Sequence, residues 1–546
     1  MQKILISFLC AFQLFSMKAQ TTVGLTQNDP GNTEGYVVFQ SNLDYTTYLI
    51  DKCGRNVHSW TSAYKSGHSS YLLGDGAVMR SGNYNSPIFT AGGTGGIVEK
   101  IDWDGNVVWS YVISDSLKCS HHDIKVMPNG NVLVVSWEYK TLAESINSGR
   151  DTLLVGAAIW SEQILEIEPV GTNGGNVVWE WHAWDHLVQD FDATKSNYGI
   201  VDTAFRKINI NFNASVNADW LHINGIDYNP DLDQILLSIH GFSEIWIIDH
   251  STTTLEAKTS TGGNSGKGGD LLYRWGNPHA YNNSAEQVLF GQHNPHWIES
   301  GLPNENKIMI FNNGINRPGG NYSTIDVIAP PVNGFNYDVS LPFMPSSYVW
   351  QYNAGNTHNM FSGNISGAQQ LPNGNVFICN GKNGIFLEVN SIGTTLWNYV
   401  NPVGVVGIAT QGTPLVQNPT FRANLFPATF SGFAGHSLTP GTILEDVNTI
   451  SEDCILSLSA NELSSENNFV LFPNPTNGKM TLTFDEPANE LLVMNLTNAL
   501  GQIVSTQTVQ KGSIEFSCEL EKLSSGIYLL HLNGDMTNQT RTVEIQ

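Results

Sequence analysis

Charge is scarce in this 546-residue chain: Asp, Glu, Lys and Arg together make up 14%, against roughly 25% in an average soluble protein. One sign dominates what remains, 49 acidic against 25 basic residues, for a formal net charge of −24. A surface of that sign repels phosphate backbones and anionic bilayers, which argues against a nucleic-acid or acidic-membrane partner. Cysteine is scarce too. Of six, Cys10 falls in the first twenty residues, leaving Cys53, Cys119, Cys379, Cys454 and Cys518 at wide spacings. One or two disulfides fit that pattern, and a dense disulfide framework does not. No Cys-x-x-Cys and no Cys/His pair has zinc-site spacing, so neither a metal nor another cofactor is expected. Beyond the N-terminus no apolar run approaches the roughly 18 residues that cross a bilayer as a helix, so an integral membrane protein is not expected.

The long apolar run that is there opens the chain. "MQKILISFLCAFQLFSMKAQ" has Lys3, then an apolar stretch, then small residues near Ala19–Gln20. This is the pattern of a secretory signal peptide over residues 1–19, which implies export. Glycine (52) and tryptophan (14) are plentiful. With low charge and many Asn and Thr, they point to an all-β protein rich in turns.

Two phrases repeat. The first is a strand, a polar turn with Gly, then β-branched residues ending in Trp: "GIVEKIDWDGNVVWSY" (96–111), "ILEIEPVGTNGGNVVWEW" (164–181) and "IFLEVNSIGTTLWNY" (385–399). Looser copies start at 46, 245 and 323. The second phrase precedes most of these as "HHDIKVMPNGNVLVVSWE" (121–138), "SGAQQLPNGNVFICNG" (366–381), and variants near 69, 221 and 296. Each phrase is a β-hairpin. Joined, they make a four-stranded antiparallel unit of roughly 45 residues, the size of a propeller blade. Six outer and five clear inner hairpins predict a six-bladed β-propeller over residues 20–447. Strands near 36–60 are expected to close the ring with 385–399, and 403–467 to pack as an extended segment. Residues 448–468 are polar and Ser-rich and read as a linker. From Phe469 to the end, period-two alternation broken by "NPTNG", "NALGQ" and "SSGIY" predicts about seven short strands in a small β-sandwich.

Several of the 15 histidines recur at one place, where an inner strand begins: His121 and His122, His222, and His293 with His296. In a propeller those places converge on one mouth of the central channel, so residues about 70 positions apart in sequence meet across the axis. His182, His186, His240, His250 and His279 lack that position and are expected to be structural. Arg317, in "IFNNGINRPGGNYS", is one of few arginines here, and its guanidinium suits an oxyanion.

"DWLHINGIDY", "YRWGNPHAY…QVLFGQHNPHWI", "IMIFNNGINRPGGNYS" and "SGAQQLPNGNVFICNGKNGIFLEV" stand in this order. Over residues 35–447 they resemble the bacterial arylsulfotransferases, which use aryl sulfates instead of a nucleotide sulfate donor. That resemblance implies a six-bladed propeller and a ping-pong reaction through a sulfo-histidine. Residue by residue it marks His222 and His293 as site histidines and Arg317 as the site arginine. Beside these, His122, Asn224, Asn294 and His296 are expected as substrate-binding neighbours. It puts the nucleophile in the region "NTHNMFSGNISGAQQL", whose strand has no histidine, and His358 just upstream is the replacement available there. Three readings follow: a sulfotransferase, a binding propeller that has lost its nucleophile, or an aryl sulfate hydrolase. Separately, "LFPNPTNGKMTL", "NLTNALGQIV" and "LSSGIYLLHL" resemble the type A C-terminal sorting domain of the Bacteroidota type IX secretion system. This implies passage through the periplasm to the cell surface or medium by way of that machinery.

Overall fold

The structure is a computed structural model. It describes residues 22–353, 360–412, 415–445, 454 and 469–546, apart from 485–486, 489, 499–501, 521–522 and 535–537. The predicted signal peptide and His358 lie outside these residues, as does the predicted linker except for Cys454. The chain divides into two compact units, 1–455 and 456–546.

The first unit has a propeller-like β fold. Its hairpin phrases pair as expected: Lys118–Val126, Val132–Thr141, Ala158–Val170 and Gly174–His182 form one antiparallel sheet in chain order. Four more sheets repeat this scheme, and in each the first strand lies at one edge. Those edge strands are named β1 (Ser66–Leu72), β2 (Lys118–Val126), β3 (Ile223–Asn229), β4 (His293–Trp297) and β5 (Gly367–Gln370). A sixth, β6 (Thr420–Phe426), is the edge of a sheet that continues with Tyr36–Ser41, Thr46–Asp51 and Asn56–Thr61. Each of β1 to β5 packs on its successor, and β6 packs back on β1.

The partner of the N-terminal strands is a correction. Tyr36–Ser41 pairs with β6, Tyr36 opposite Phe426, while Thr395–Val400 takes Gly24–Asn28 on its outer side. The segment expected to pack as an extended coil thus supplies a sheet edge. Arg422 and Asn424 interrupt its apolar run, because one face of this strand looks onto a polar interior, and hydropathy alone hides it.

The repeated Trp explains how the sheets hold together. Trp109, Trp181, Trp275 and Trp350 stand on outermost strands and Trp397 on the strand next to one, and each indole N–H reaches a backbone carbonyl of the next sheet or of a loop joining its strands: Trp109 to Gly174 (2.8 Å), Trp181 to Gly269 (2.8 Å), Trp275 to Pro345 (3.0 Å), Trp350 to Ser391 (3.0 Å) and Trp397 to Lys52 (2.8 Å). At the sixth seam the Trp60 indole N–H has no partner, and His58 Nε2 reaches the Trp103 carbonyl instead, at 2.8 Å. Around these bonds, apolar side chains of adjoining sheets share cores, such as Met79 and Trp109 with Val134 and Leu165. A disulfide joins Cys53 to Cys454 across 401 residues, while Cys119, Cys379 and Cys518 are free and buried. Closing so long a loop restricts the unfolded chain and stabilises the fold by roughly 2–5 kcal/mol.

In the second unit seven strands form two antiparallel sheets, one of three strands and one of four. Met480 and Leu482 from the first share one core with Met494, Leu530 and Val543 from the second.

Candidate active site

Four of the edge strands begin with an irregular register, and at that point the backbone turns left-handed: His68 (φ 100°), His122 (φ 54°), His222 (φ 52°) and Asn294 (φ 50°). A non-glycine residue rarely adopts this conformation, which costs on the order of 1 kcal/mol or more and tends to be kept where a side chain must be re-aimed. Here it turns the rings of His68, His122 and His222 toward one another, while Asn294, next to His293, points its side chain to the Ala368 amide. The rings form a closed circuit by centroid distance: His68 to His122 5.3 Å, His122 to His222 4.6 Å, His222 to His240 5.3 Å, His240 to His293 5.7 Å. Phe421 of β6 completes it, 6.5 Å from His293 and 5.2 Å from His68. His240, which sequence position groups with the structural histidines, stands in this circuit because its strand returns to the end where β3 begins.

The five imidazoles differ in charge because they differ in partners. Nδ1 of His222 lies 2.5 Å from the Asp219 carboxylate, whose other oxygen accepts the Trp137 indole N–H at 3.1 Å. Burial disfavours a charged His222, but the bond to Asp219 and the charges of Asp219 and Glu162 outweigh it and hold His222 above the ordinary imidazole value. Among the described residues, none of the other four has a carboxylate in contact. Burial, reinforced by the nearby His222 charge, pushes His68 and His240 down to about 4 and His122 well below the ordinary value. Burial and the neighbouring His240 do the same to His293. Four rings held neutral near neutral pH thus face one ring whose protonated form a carboxylate favours.

Their free nitrogens differ as well. Both ring nitrogens of His293 are engaged: Nδ1 lies 2.8 Å from Asn313 Oδ1, and Nε2 accepts the Ile365 amide at 3.1 Å. His122 uses one, its Nδ1 lying 2.8 Å from His121 Nδ1. His121 in turn stacks on Trp137 (3.9 Å) and places Nε2 2.8 Å from Glu162, whose other oxygen takes the Ile223 amide at 3.0 Å. Among the described residues, Nε2 of His122 and of His222 has no protein partner.

The remaining sequence-derived positions are spread out. Arg317 Nη2 donates to Thr324 at 3.3 Å, and its guanidinium lies over Tyr322 (4.3 Å) and Phe290 (5.4 Å). No contact among the described residues joins it to the rings. Asn224 is buried and donates to the Gln292 carbonyl at 2.9 Å. Asn294 accepts the Ala368 amide at 3.1 Å. Asn294 and His296 line a separate cavity of about 470 Å³ with Lys125, Asp227, Gln369 and Arg422, a cavity that none of the ring histidines lines.

Arg422 escaped the sequence reading. It lies over Phe421 (4.6 Å), donates to Asp123 (2.6 Å) and to the Tyr71 hydroxyl (2.5 Å), and so links the histidine circuit to the cavity. Asp219, Glu162 and His68 were also missed, since they sit in strands or turns whose convergence only the fold reveals. No group of three or more His, Cys, Asp or Glu among the described residues is arranged to hold a metal ion.

Comparison with known proteins adds two family matches. The profile described as arylsulfotransferase (ASST) matches residues 22–410, and that of the secretion system C-terminal sorting domain matches residues 470–546. Strand β6, with Phe421 and Arg422, lies beyond the first match. No curated protein matches the sequence. Among solved structures, a Bacteroides caccae protein of unknown function is 11% identical over 72% of this chain and 99% of its own, with a TM-score of 0.39. Hydrazine synthase from Kuenenia stuttgartiensis is 15% identical over 56% and 71%, with a TM-score of 0.32. A Lactobacillus plantarum protein is 8% identical over 72% and 100%, also with a TM-score of 0.32. None of these three likenesses carries an argument about function.

Proposed function

The chain belongs to the arylsulfotransferase family and ends in a type IX secretion C-terminal sorting domain; from that premise we propose an exported enzyme that moves a sulfuryl group from an aryl sulfate to a phenolic acceptor without a nucleotide donor. We read the six sheets as blades of a six-bladed propeller closed by β6, and the second unit as a β-sandwich that serves export through the periplasm to the surface or medium. The substrate site is the mouth ringed by His68, His122, His222, His240, His293 and Phe421.

The observation that carries this reading is the charge pattern of that ring. A single Asp219-paired imidazolium beside neutral imidazoles supplies both elements of sulfuryl transfer. The cation holds anionic oxygens and protonates a leaving phenolate, and a neutral ring offers a lone pair to sulfur. Arg317 belongs to the surround of the site, where its guanidinium meets an incoming anion before the ring does. The test is turnover of 4-nitrophenyl sulfate with a phenol acceptor: 4-nitrophenol release that depends on the acceptor, with the sulfated acceptor as co-product. Inorganic sulfate in its place would make the protein a hydrolase. No release across several donors and acceptors would refute the transferase.

A second reading, an anion-binding propeller without turnover, is favoured by two observations: β5 bears no histidine, and both nitrogens of His293 are engaged. It predicts aryl sulfate binding by calorimetry that Arg317→Ala weakens, with no phenol released.

A further inference from the structure

Resting on the sulfuryl-transfer reading, we propose that His122 is the nucleophile, oriented through His121 by the buried Glu162. The position of His122 in the sequence suggests only a binding role, and the family resemblance leaves the nucleophile unassigned among the described residues. The geometry supplies it. Glu162 Oε2, His121 Nε2, His121 Nδ1 and His122 Nδ1 form two successive contacts of 2.8 Å each. One tautomer chain satisfies every member: His121 donates Nε2–H to the Glu162 carboxylate and accepts the Nδ1–H of His122. That assignment leaves the lone pair of His122 on Nε2, which has no protein partner and belongs to the ring nearest His222, 4.6 Å away by centroid. Two other ring histidines do worse: His293 has no free nitrogen, and His222 is bonded to Asp219, which holds its proton. His68 and His240 are neutral rings with a nitrogen free of any protein partner among the described residues, but neither is tied to a carboxylate through a second ring as His122 is.

The step balances. The Nε2 lone pair of His122 bonds to sulfur as the sulfur–oxygen bond to the aryl group breaks. The leaving oxygen keeps that bond pair and takes the proton from Nε2 of His222. The His122 Nδ1 proton passes to His121 Nδ1, and the His121 Nε2 proton passes to Glu162, so the sulfonated ring carries no added positive charge. Burial raises the proton affinity of Glu162 well above that of an ordinary carboxylate, which suits it to receive that proton. Transfer to the acceptor reverses each movement. Gly93 completes the arrangement. Its carbonyl accepts the His122 amide at 2.8 Å, and a Cβ there would lie 2.0 Å from the His122 ring, so only glycine lets the ring keep its place.

The test is rapid mixing of the purified full chain with 4-nitrophenyl sulfate and no acceptor, followed by intact mass and peptide mapping at neutral to alkaline pH. The expected result is one SO₃ increment per chain on the peptide bearing His121 and His122. His122→Ala and His122→Gln should both lose it. Glu162→Gln should slow labelling roughly 100-fold, the size of an acid–base contribution, while its thermal melt stays cooperative. Label on another residue, undiminished label in both His122 variants, or turnover without any label would overturn the assignment and leave the transferase reading standing. Absence of both label and turnover in the parent protein would overturn the two together.

Discussion

His222 and His122 sit ring against ring, and their different partners give them opposite charge. Replacing Asp219 by Asn keeps the shape and removes the charge that holds the proton on His222. The pKa of His222 then falls, so a rate that needs its proton declines at lower pH than in the parent. A pH–rate profile with 4-nitrophenyl sulfate whose alkaline limb stays in place would count against a His222 acid. The linked stability change has a definite sign. With its pKa raised on folding, His222 stabilises the fold fully below the ordinary imidazole value of about 6.5, and loses that contribution as pH rises through the folded value. At this scale sequence reading was half informative. His122, His222 and His293 stand at strand starts and were legible there, and all three enter the ring circuit. Asp219 lies three residues before His222 and Glu162 sixty before it, and no periodicity marks either as a partner.

At the scale of elements, the seams between sheets depend on a hydrogen bond as well as on apolar burial. In Trp397 the indole N–H serves the Lys52 carbonyl, and the Lys52 ammonium lies 4.1 Å from the ring centroid and 2.7 Å from Glu388. Trp397→Phe removes the donor and leaves a buried carbonyl unsatisfied, at a cost of about 1–3 kcal/mol beyond the lost ring volume. Trp60, equally buried, donates to nothing, so Trp60→Phe loses only the volume. Urea midpoints of the two variants should therefore differ, with Trp397→Phe the lower, and equal midpoints would show that the indole bonds contribute little. The tryptophans were plain in the sequence as the last word of each outer hairpin. That their N–H groups cross the seams was not, because the acceptors are backbone carbonyls, which leave no trace in residue identity. β6 was missed for a related reason: Arg422 and Asn424 interrupt it, and the buried Arg422 faces polar partners such as Asp123, so its alternation runs against the usual rule.

For the first unit as a whole, burying so many neutral imidazoles sets an acid limit. His68 and His240 ionise at about 4 in the fold, against about 6.5 when unfolded. The unfolded chain binds more protons between those values, so stability falls as pH drops from about 6.5 toward 4. His121, His122 and His293 add to the same slope. His250, raised to about 9 against burial by its bonds to Asp233 and Glu166, acts oppositely and loses its contribution as pH rises through that value. Thermal melts of the first unit should thus peak near pH 6.5, about the unfolded imidazole value, and decline on both sides of it, and a midpoint unchanged from pH 7 to 4.5 would contradict the buried neutral rings. The architecture was the most legible level of all, since hairpin phrases, turn signals and spacing all describe one repeated unit.

The pairing of Tyr36–Ser41 with Thr420–Phe426 has a consequence in time. Four hundred residues of chain emerge before β6 does, and Phe421 and Arg422 travel on β6. Until that strand docks, the rings of His68 and His293 have no aromatic neighbour between them and Asp123 has no guanidinium. A chain whose β6 has yet to dock therefore has an incomplete ring circuit, and the candidate site is assembled only once that late strand has joined Tyr36–Ser41.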